Sequence, residues 1–259
     1  MARTDDFEGL ARYYDPIMNH VDYDRWFVTT SALAEFAPEE FLHMDAGCGT
    51  GVLMGMLRKS GWHSFGADLS VSMLRTARKR RKDLPVAAGD LRALPFRRSV
   101  HLLTCLFDSM NFLLADEDVE QALCSMSSTL TEDGILYFDV VTERMVMDHF
   151  EGRQWEEDNS GFVTQWRSTY DRKSSISETR IRVNTADAAI IRERIYPLSF
   201  LEEAVHKAGL GLLGILDADT WGRPTRRTTR VDLIAKRAIT AEDERQFKQI
   251  RNHVKRCLY

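Results

Sequence analysis

Apolar positions along this chain follow two rhythms, and the change between them near residue 150 divides the sequence. In the first part, short apolar runs alternate with stretches of helical spacing. Trp26, Phe27, Leu33, Ala34 and Phe36 recur at helical intervals between Asp22 and about Phe36, ahead of Pro38. Phe41 to Asp45 then reads as a first strand, Val52 to Ser60 as a helix, and His63 to Asp68 as a second strand. Ser70 is placed to cap a helix running to Lys82. Val86 to Ala88 is a third strand, closed by Gly89-Asp90. Val100 to Phe107 and Ile135 to Val141 are continuous apolar runs of the kind buried parallel strands require, and Asp116 to Leu130 between them is an amphipathic helix followed by Gly134. Parallel neighbours need crossover connections, so this alternation predicts an α/β protein: a Rossmann-like sheet with helices on both faces.

After residue 150 the period shortens to two. Phe162 to Tyr170, Ile176 to Val183 and Ala189 to Tyr196 alternate polar and apolar, which predicts a small antiparallel meander inserted after the fifth strand. Leu198 to Ala208 restores a helix. Two more strands, Leu212 to Asp217 and Val231 to Ala235, complete a seven-stranded sheet, mostly parallel with an antiparallel edge hairpin. From Ala241 the pattern is that of an added amphipathic helix. The expected organisation is a main domain over 1–150 and 196–238, an insertion over 151–195 and a helical tail over 239–259.

Composition narrows the function classes. The 259 residues are 44% hydrophobic and 29% charged, and the longest apolar runs are strand-sized, so neither a membrane span nor a signal peptide is apparent and a cytoplasmic protein is expected. A net charge of −4 argues against nucleic acid as a general partner. Basic residues do crowd two segments, Arg75 to Lys82 and Arg223 to Arg230. The first reads as a solvated helix face, or alternatively as a docking surface for an acidic partner. Four scattered cysteines and seven unpaired histidines give no metal pattern, and no metal is expected.

The candidate chemistry starts at His43-Met44-Asp45-Ala46-Gly47-Cys48-Gly49-Thr50-Gly51, an acid closing an apolar run followed by three alternating glycines. Positions without side chains let the backbone turn sharply and let a ligand approach the main chain. The dinucleotide fingerprint places its third glycine one residue later, where this chain has Val52. The segment resembles motif I of the class I S-adenosylmethionine-dependent methyltransferases, and later motifs follow in order over roughly residues 10 to 140, with topology alone matching over 195 to 237.

That resemblance implies S-adenosylmethionine as methyl donor and S-adenosylhomocysteine as product, with Asp45, Ala46, Gly47, Gly49 and Leu69 among the cofactor contacts. Asp68 takes the position of the carboxylate that holds both ribose hydroxyls. In Gly89-Asp90-Leu91, Asp90 accepts from the adenine amino group and Leu91 offers its backbone N–H, while Met73 packs on the adenine face. Cys105 to Leu113 stands at motif IV without the Asn/Asp-Pro-Pro or Pro-Cys signatures of nucleic-acid methylation. It looks more like bacterial small-molecule enzymes, including sugar-amine N-methyltransferases. Leu106 and Phe107 then line the methionine end, and Asp108 is either a polar contact near the reacting centre or a cap for the next turn. Tyr13-Tyr14-Asp15-Pro16, Asp22-Tyr23 and Trp26 resemble an N-terminal lid, within 1–40, that places Tyr14 and Trp26 over the methionine moiety.

The expected reaction is methyl transfer to nitrogen or oxygen of a small-molecule acceptor, in a monomer or homodimer. Alignment of the nucleophile alone can supply about 7–11 kcal/mol in favourable cases. Asp108, His149, Tyr14 and Tyr196 are candidate bases, with Asp108 and Tyr14 carried as the catalytic residues. Trp155, Trp166, Tyr170, Tyr196 and Trp221 suggest an aromatic acceptor pocket built from the insertion and the last hairpin, or else pack that insertion onto the main sheet. The alternatives are a cofactor-binding partner or regulatory protein, and an RNA or protein methyltransferase.

Overall fold

The computed structural model describes residues 5–159 and 161–258. In chain order the elements are α1 (Tyr14–Ile17), α2 (Tyr23–Leu33), β1 (Leu42–Ala46), α3 (Val52–Lys59), β2 (His63–Asp68), α4 (Val71–Arg80), β3 (Val86–Ala88), β4 (Val100–Cys105), α5 (Asp116–Thr129) and β5 (Leu130–Val141). They continue with α6 (Glu143–His149), β6 (Gln154–Asp158), β7 (Val163–Asp171), β8 (Ile176–Val183), β9 (Ala186–Arg194), α7 (Leu198–Lys207), β10 (Gly211–Asp217), β11 (Arg230–Lys236) and α8 (Ala241–Leu258).

Seven strands form one sheet in the order β10-β11-β5-β4-β1-β2-β3, with the first five strands of the chain parallel and β11 antiparallel to both of its neighbours. Its two faces are buried by different helices. On one, Val119, Leu123 and Met126 of α5 and Leu201 and Val205 of α7 cover Met44, Leu103 and Phe138. On the other, Leu33 of α2, Leu57 of α3 and Ile250 and Val254 of α8 cover Leu102, Tyr137 and Ile234. The tail helix α8 is thus part of the main core, secured by a Lys236–Asp243 ion pair at 2.6 Å.

The remaining strands form a separate antiparallel sheet, β6-β7-β8-β9, which has one strand more than the sequence pattern predicts. Gln154–Asp158 is too acidic to read as a strand, but its inward residue Trp155 stacks on Trp166 with ring centroids 5.3 Å apart. The amino-terminal segment seals this sheet: Leu10 and Ile17 pack against Trp166, Ile181 and Ala189. Gly9 lies so close to β9 that a Cβ there would come within 2.6 Å of the Ala188 carbonyl oxygen. Asn111 ties the two sheets together. Its amide donates to the Arg194 carbonyl at 2.8 Å and accepts from the Val141 N–H at 3.0 Å.

The basic run at the end of α4 also differs from a plain solvated face. Arg80 and Arg81 pair with Asp15 at 3.1 and 3.0 Å, and Thr50 donates to the same carboxylate at 2.5 Å. These contacts fasten the amino-terminal segment to the turn that follows β1.

Candidate active site

The parallel strands deliver their carboxyl ends to one edge, and the turn after β1 opens there. Gly47, Gly49 and Gly51 all take left-handed backbone, with φ of 77°, 53° and 76°, a region costly for residues with a Cβ. Gly47 has a second reason to be glycine: a Cβ would fall 2.4 Å from the Ser109 hydroxyl. The Gly47 N–H reaches across to the Ala67 carbonyl at 2.7 Å, so the turn is anchored to the end of β2.

Asp68 closes β2 beside this turn. Its two oxygens accept from the Gly49 N–H at 2.7 Å and the Ser70 N–H at 2.8 Å, which fixes the carboxylate and leaves each oxygen with further acceptor capacity. Burial pushes its pKa up, against the pull of those two N–H groups. Ser70 caps α4 as the sequence predicts, accepting from the Met73 N–H at 3.2 Å, and its own hydroxyl donates to Asp5 at 2.7 Å.

Asp45 is buried at the end of β1 and accepts from the Thr104 hydroxyl at 2.8 Å. Thr104 spends its proton there, so His43 Nε2 donates to it (3.0 Å) and His43 Nδ1 accepts from Ser64 (3.0 Å). Burial holds this histidine neutral, down to about 3, and pushes Asp45 up to about 7.

These residues open onto a cavity of about 490 Å³, within the usual range for small-molecule sites. Asp45, Gly47, Gly49, Asp68, Leu69 and Met73 line one side, Asp90 and Leu91 continue it, and Tyr14, Trp26, Leu106 and Phe107 line the rest together with Tyr23. Of the four large apolar side chains that stand exposed among the described residues, three (Leu69, Val71 and Ile190) line this cavity. Asp90 is held in place by Arg92, which pairs with it at 2.6 Å and with Asp118 at 2.8 Å.

Residues 44–134 match the family described as Methyltransferase domain. The Bacillus subtilis protein YqeM, named as a methyltransferase, is 25% identical over 245 residues, which is 90% of this chain and 98% of that protein. A solved S-adenosylmethionine-dependent methyltransferase from Clostridium acetobutylicum superposes with a TM-score of 0.76 at 22% identity, covering 87% of this chain and 96% of its own. The chain carries a methyltransferase domain. A Streptomyces fradiae relative, dTDP-3-amino-3,6-dideoxy-α-D-glucopyranose N,N-dimethyltransferase, is 30% identical over 135 residues, 51% of this chain and 53% of the relative.

The cavity of this methyltransferase fits that cofactor class. The glycine turn leaves bare backbone beside a fixed two-oxygen acceptor, exposed apolar side chains stand at the rim, and aromatic rings gather at the end of β4. Two features depart from the sequence reading. Ala46 is wholly buried in the core and does not line the cavity. The five aromatics expected around an acceptor do not line it either. Trp155 and Trp166 stack within the second sheet, Tyr170 donates to Glu143 (3.0 Å), the Tyr196 hydroxyl donates to the Leu113 carbonyl, and Trp221 donates to Asp232 at 2.9 Å. Each fills a core or closes an element joint, which long apolar side chains do more often than they line pockets. His149 is exposed at the end of α6 and stands outside the cavity lining.

Asp108 does not cap the turn after β4 with its side chain. Phe107 and Asp108 both adopt left-handed backbone, with φ of 59° and 58°, which stops β4 at Cys105. Two such non-glycine residues together cost on the order of 1–2 kcal/mol each, a strain that clusters at functional sites. The Asp108 carboxylate is turned to Arg230 at 2.7 Å, and Arg230 also pairs with Asp139 at 2.9 Å. Burial disfavours the Arg230 cation, but the two carboxylates hold its pKa above the ordinary value.

Arg230, Glu193 and the cavity-lining Phe7, Phe112 and Ile191 were not legible as site residues. For Arg230 a signal did exist: its partner Asp139 is a lone acid within an apolar strand, and a buried charge demands a partner.

Proposed function

We propose that this enzyme moves the methyl group of S-adenosylmethionine to nitrogen or oxygen of a small polar acceptor, with amino sugars the first class to test. The observation that carries this reading is the single cavity joining the glycine turn, Asp68 and Asp90 to the aromatic wall of Tyr14, Tyr23, Trp26 and Phe107. The sugar N,N-dimethyltransferase relative supports the choice of amino sugars.

In this reading Asp68 accepts from both ribose hydroxyls. Asp90 accepts from the adenine amino group, and Leu91 supplies a backbone N–H. Leu69 and Met73 flank the adenine ring, while Gly47 and Gly49 let the donor lie against the main chain. Asp45 offers its carboxylate to the positive charge of the donor. Tyr14, Trp26, Leu106 and Phe107 surround the methionine end, where aromatic faces favour a sulfonium and exclude water. The cofactor supplies an already activated methyl group when bound, so these side chains chiefly have to align the acceptor opposite the departing sulfur.

Calorimetry with S-adenosylhomocysteine, followed by methyl-transfer assays on amino hexoses and their hydroxyl counterparts, tests the proposal. Cofactor-product binding together with transfer to at least one member of the panel is expected. Binding without transfer to any of them would favour a regulatory role, and no binding overturns the assignment of the cavity.

A further inference from the structure

Beside the aromatic wall, two carboxylates meet one guanidinium and a third carboxyl group stands against Asp108. Arg230 of β11 contacts Asp108 and Asp139 at 2.7 and 2.9 Å, the Asp108 N–H donates to Asp139 at 2.9 Å, and the Asp108 carboxyl is hydrogen-bonded to that of Glu193 from β9. Four segments far apart in sequence supply these groups. The neighbouring Arg25 faces Asp232 at 3.9 Å and its charge also reaches Asp139, so across Asp108, Asp139, Asp232, Arg230 and Arg25 the carboxyl groups outnumber the guanidinium groups by one even without Glu193. Two carboxyl groups can share a hydrogen bond only when one of them carries a proton. Burial, then the Asp108 carboxylate, push the Glu193 pKa well up, which assigns that proton to Glu193.

The cluster borders the cavity, whose lining includes Phe107 and Ser109 on either side of Asp108, and Arg192 next to Glu193. Asp108 keeps 18% of its side chain exposed, whereas Asp139 is wholly buried. The charges of Asp108 and Glu193 both reach the Tyr14 hydroxyl, and that of Asp108 reaches Tyr23; each tyrosine lines the cavity. Arg230 lies 5.5 Å from the Phe107 ring and 5.6 Å from Trp26. Trp26 also lines the cavity and is 3% exposed, yet its indole N–H has no partner among the described residues. The site therefore lacks one cation and holds one unused donor.

We propose that the Asp108–Glu193 pair receives the ammonium form of an amine acceptor and takes one of its protons, so that methylation occurs on nitrogen. This rests on the small-acceptor reading above and sharpens it. When the ammonium enters, Glu193 gives up its proton to solvent and the two carboxylates flank the new cation. One ammonium proton then passes to Glu193, leaving a neutral amine. Its lone pair forms the carbon–nitrogen bond as the carbon–sulfur bond breaks, with that electron pair staying on sulfur. The product leaves as a methylated ammonium, and the proton released on binding is the one the overall reaction yields. An alcohol brings no such charge and gains nothing from the pair.

The test is calorimetry on the full chain saturated with S-adenosylhomocysteine, near pH 7, in two buffers of unlike ionisation heat. The probes are 2-, 3- and 4-amino deoxyhexoses, with glucose as the neutral control. At least one amine should bind about tenfold or more tighter than glucose and release about one proton. Glu193→Gln should abolish that release and weaken the amine by about tenfold or more, with S-adenosylhomocysteine affinity changed less than about threefold. Asp108→Asn should weaken the amine similarly; should that variant not fold, Glu193→Gln alone decides. A protonated carboxyl stretch in the infrared difference spectrum of the wild type minus Glu193→Gln is the readout that needs no acceptor. The proposal is overturned by absence of that band, by proton release that survives in Glu193→Gln, or by no preference for amines over glucose. Failure of the wild type to bind S-adenosylhomocysteine would instead overturn the cofactor reading beneath it.

Discussion

The two ends of the cavity are built in opposite ways. The end proposed for the donor is local: Asp45, Gly47, Gly49, Asp68 and Asp90 follow strands β1 to β3 within 46 residues, fixed mainly by backbone N–H groups and turn geometry. The end proposed for the acceptor is assembled across the chain: Tyr14 lines the cavity, and Asp108, Glu193 and Arg230 stand beside it, joined by an ion pair. The first arrangement, rigid main chain around fixed carboxylates, suits one invariant molecule. The second places specificity on side chains from two sheets, so it can be changed without disturbing the first.

The sharpest way to break this division is at its charged joint. Arg230→Met strands Asp108 and Asp139, and should cost about 3–5 kcal/mol in urea unfolding; a loss below about 1 kcal/mol would show that the cluster is solvated and not a joint. Asp68→Ala should leave folding largely intact while weakening S-adenosylhomocysteine by about 100-fold, two charge-assisted hydrogen bonds at about 1.5 kcal/mol each. Gly47→Ala meets both a φ of 77° and the Ser109 hydroxyl at 2.4 Å, whereas Gly61→Ala at φ 90° meets no neighbour within 4 Å. The difference between their melting temperatures isolates the clash, and Ser109→Gly should recover part of it in Gly47→Ala alone; each backbone penalty is about 1 kcal/mol.

A smaller effect follows from Asp45. Its pKa in the folded state, about 7, lies above the 3.8 of an ordinary aspartate, so the folded protein binds the extra proton and loses that stability as pH rises through 7. Cation binding has the reverse preference. Affinity for S-adenosylmethionine should therefore tighten as pH rises through about 7, and Asp45→Asn should flatten this profile while raising thermal stability at pH 8. An unchanged profile in the variant would remove Asp45 from the donor end.

The legibility of the sequence follows the same division. The glycine spacing and the strand-end acids are short-range constraints, and apart from Ala46 the residues they nominate line the cavity. Ala46 does not, because alternation along β1 turns its side chain into the core. At the other end, the aromatic residues of the insertion looked chemically suggestive, but Trp155 and Trp166 are the hydrophobic centre that lets a four-stranded sheet exist. Strand β4 ended two residues early because Phe107 and Asp108 turn left-handed, and an apolar run carries no trace of that turn. Glu193 was hidden in an alternating strand, where a charge normally faces solvent. The docking of β9 on the main body, where Arg194 meets Asn111, Leu114 and Asp116, brings it to Asp108.

Separable halves are the central claim, and a single titration series addresses it: S-adenosylhomocysteine into the wild type, Asp68→Ala and Glu193→Gln under identical conditions. The account predicts a loss of about 100-fold in Asp68→Ala and less than about threefold in Glu193→Gln. Comparable losses in both variants, or none in Asp68→Ala, would contradict it.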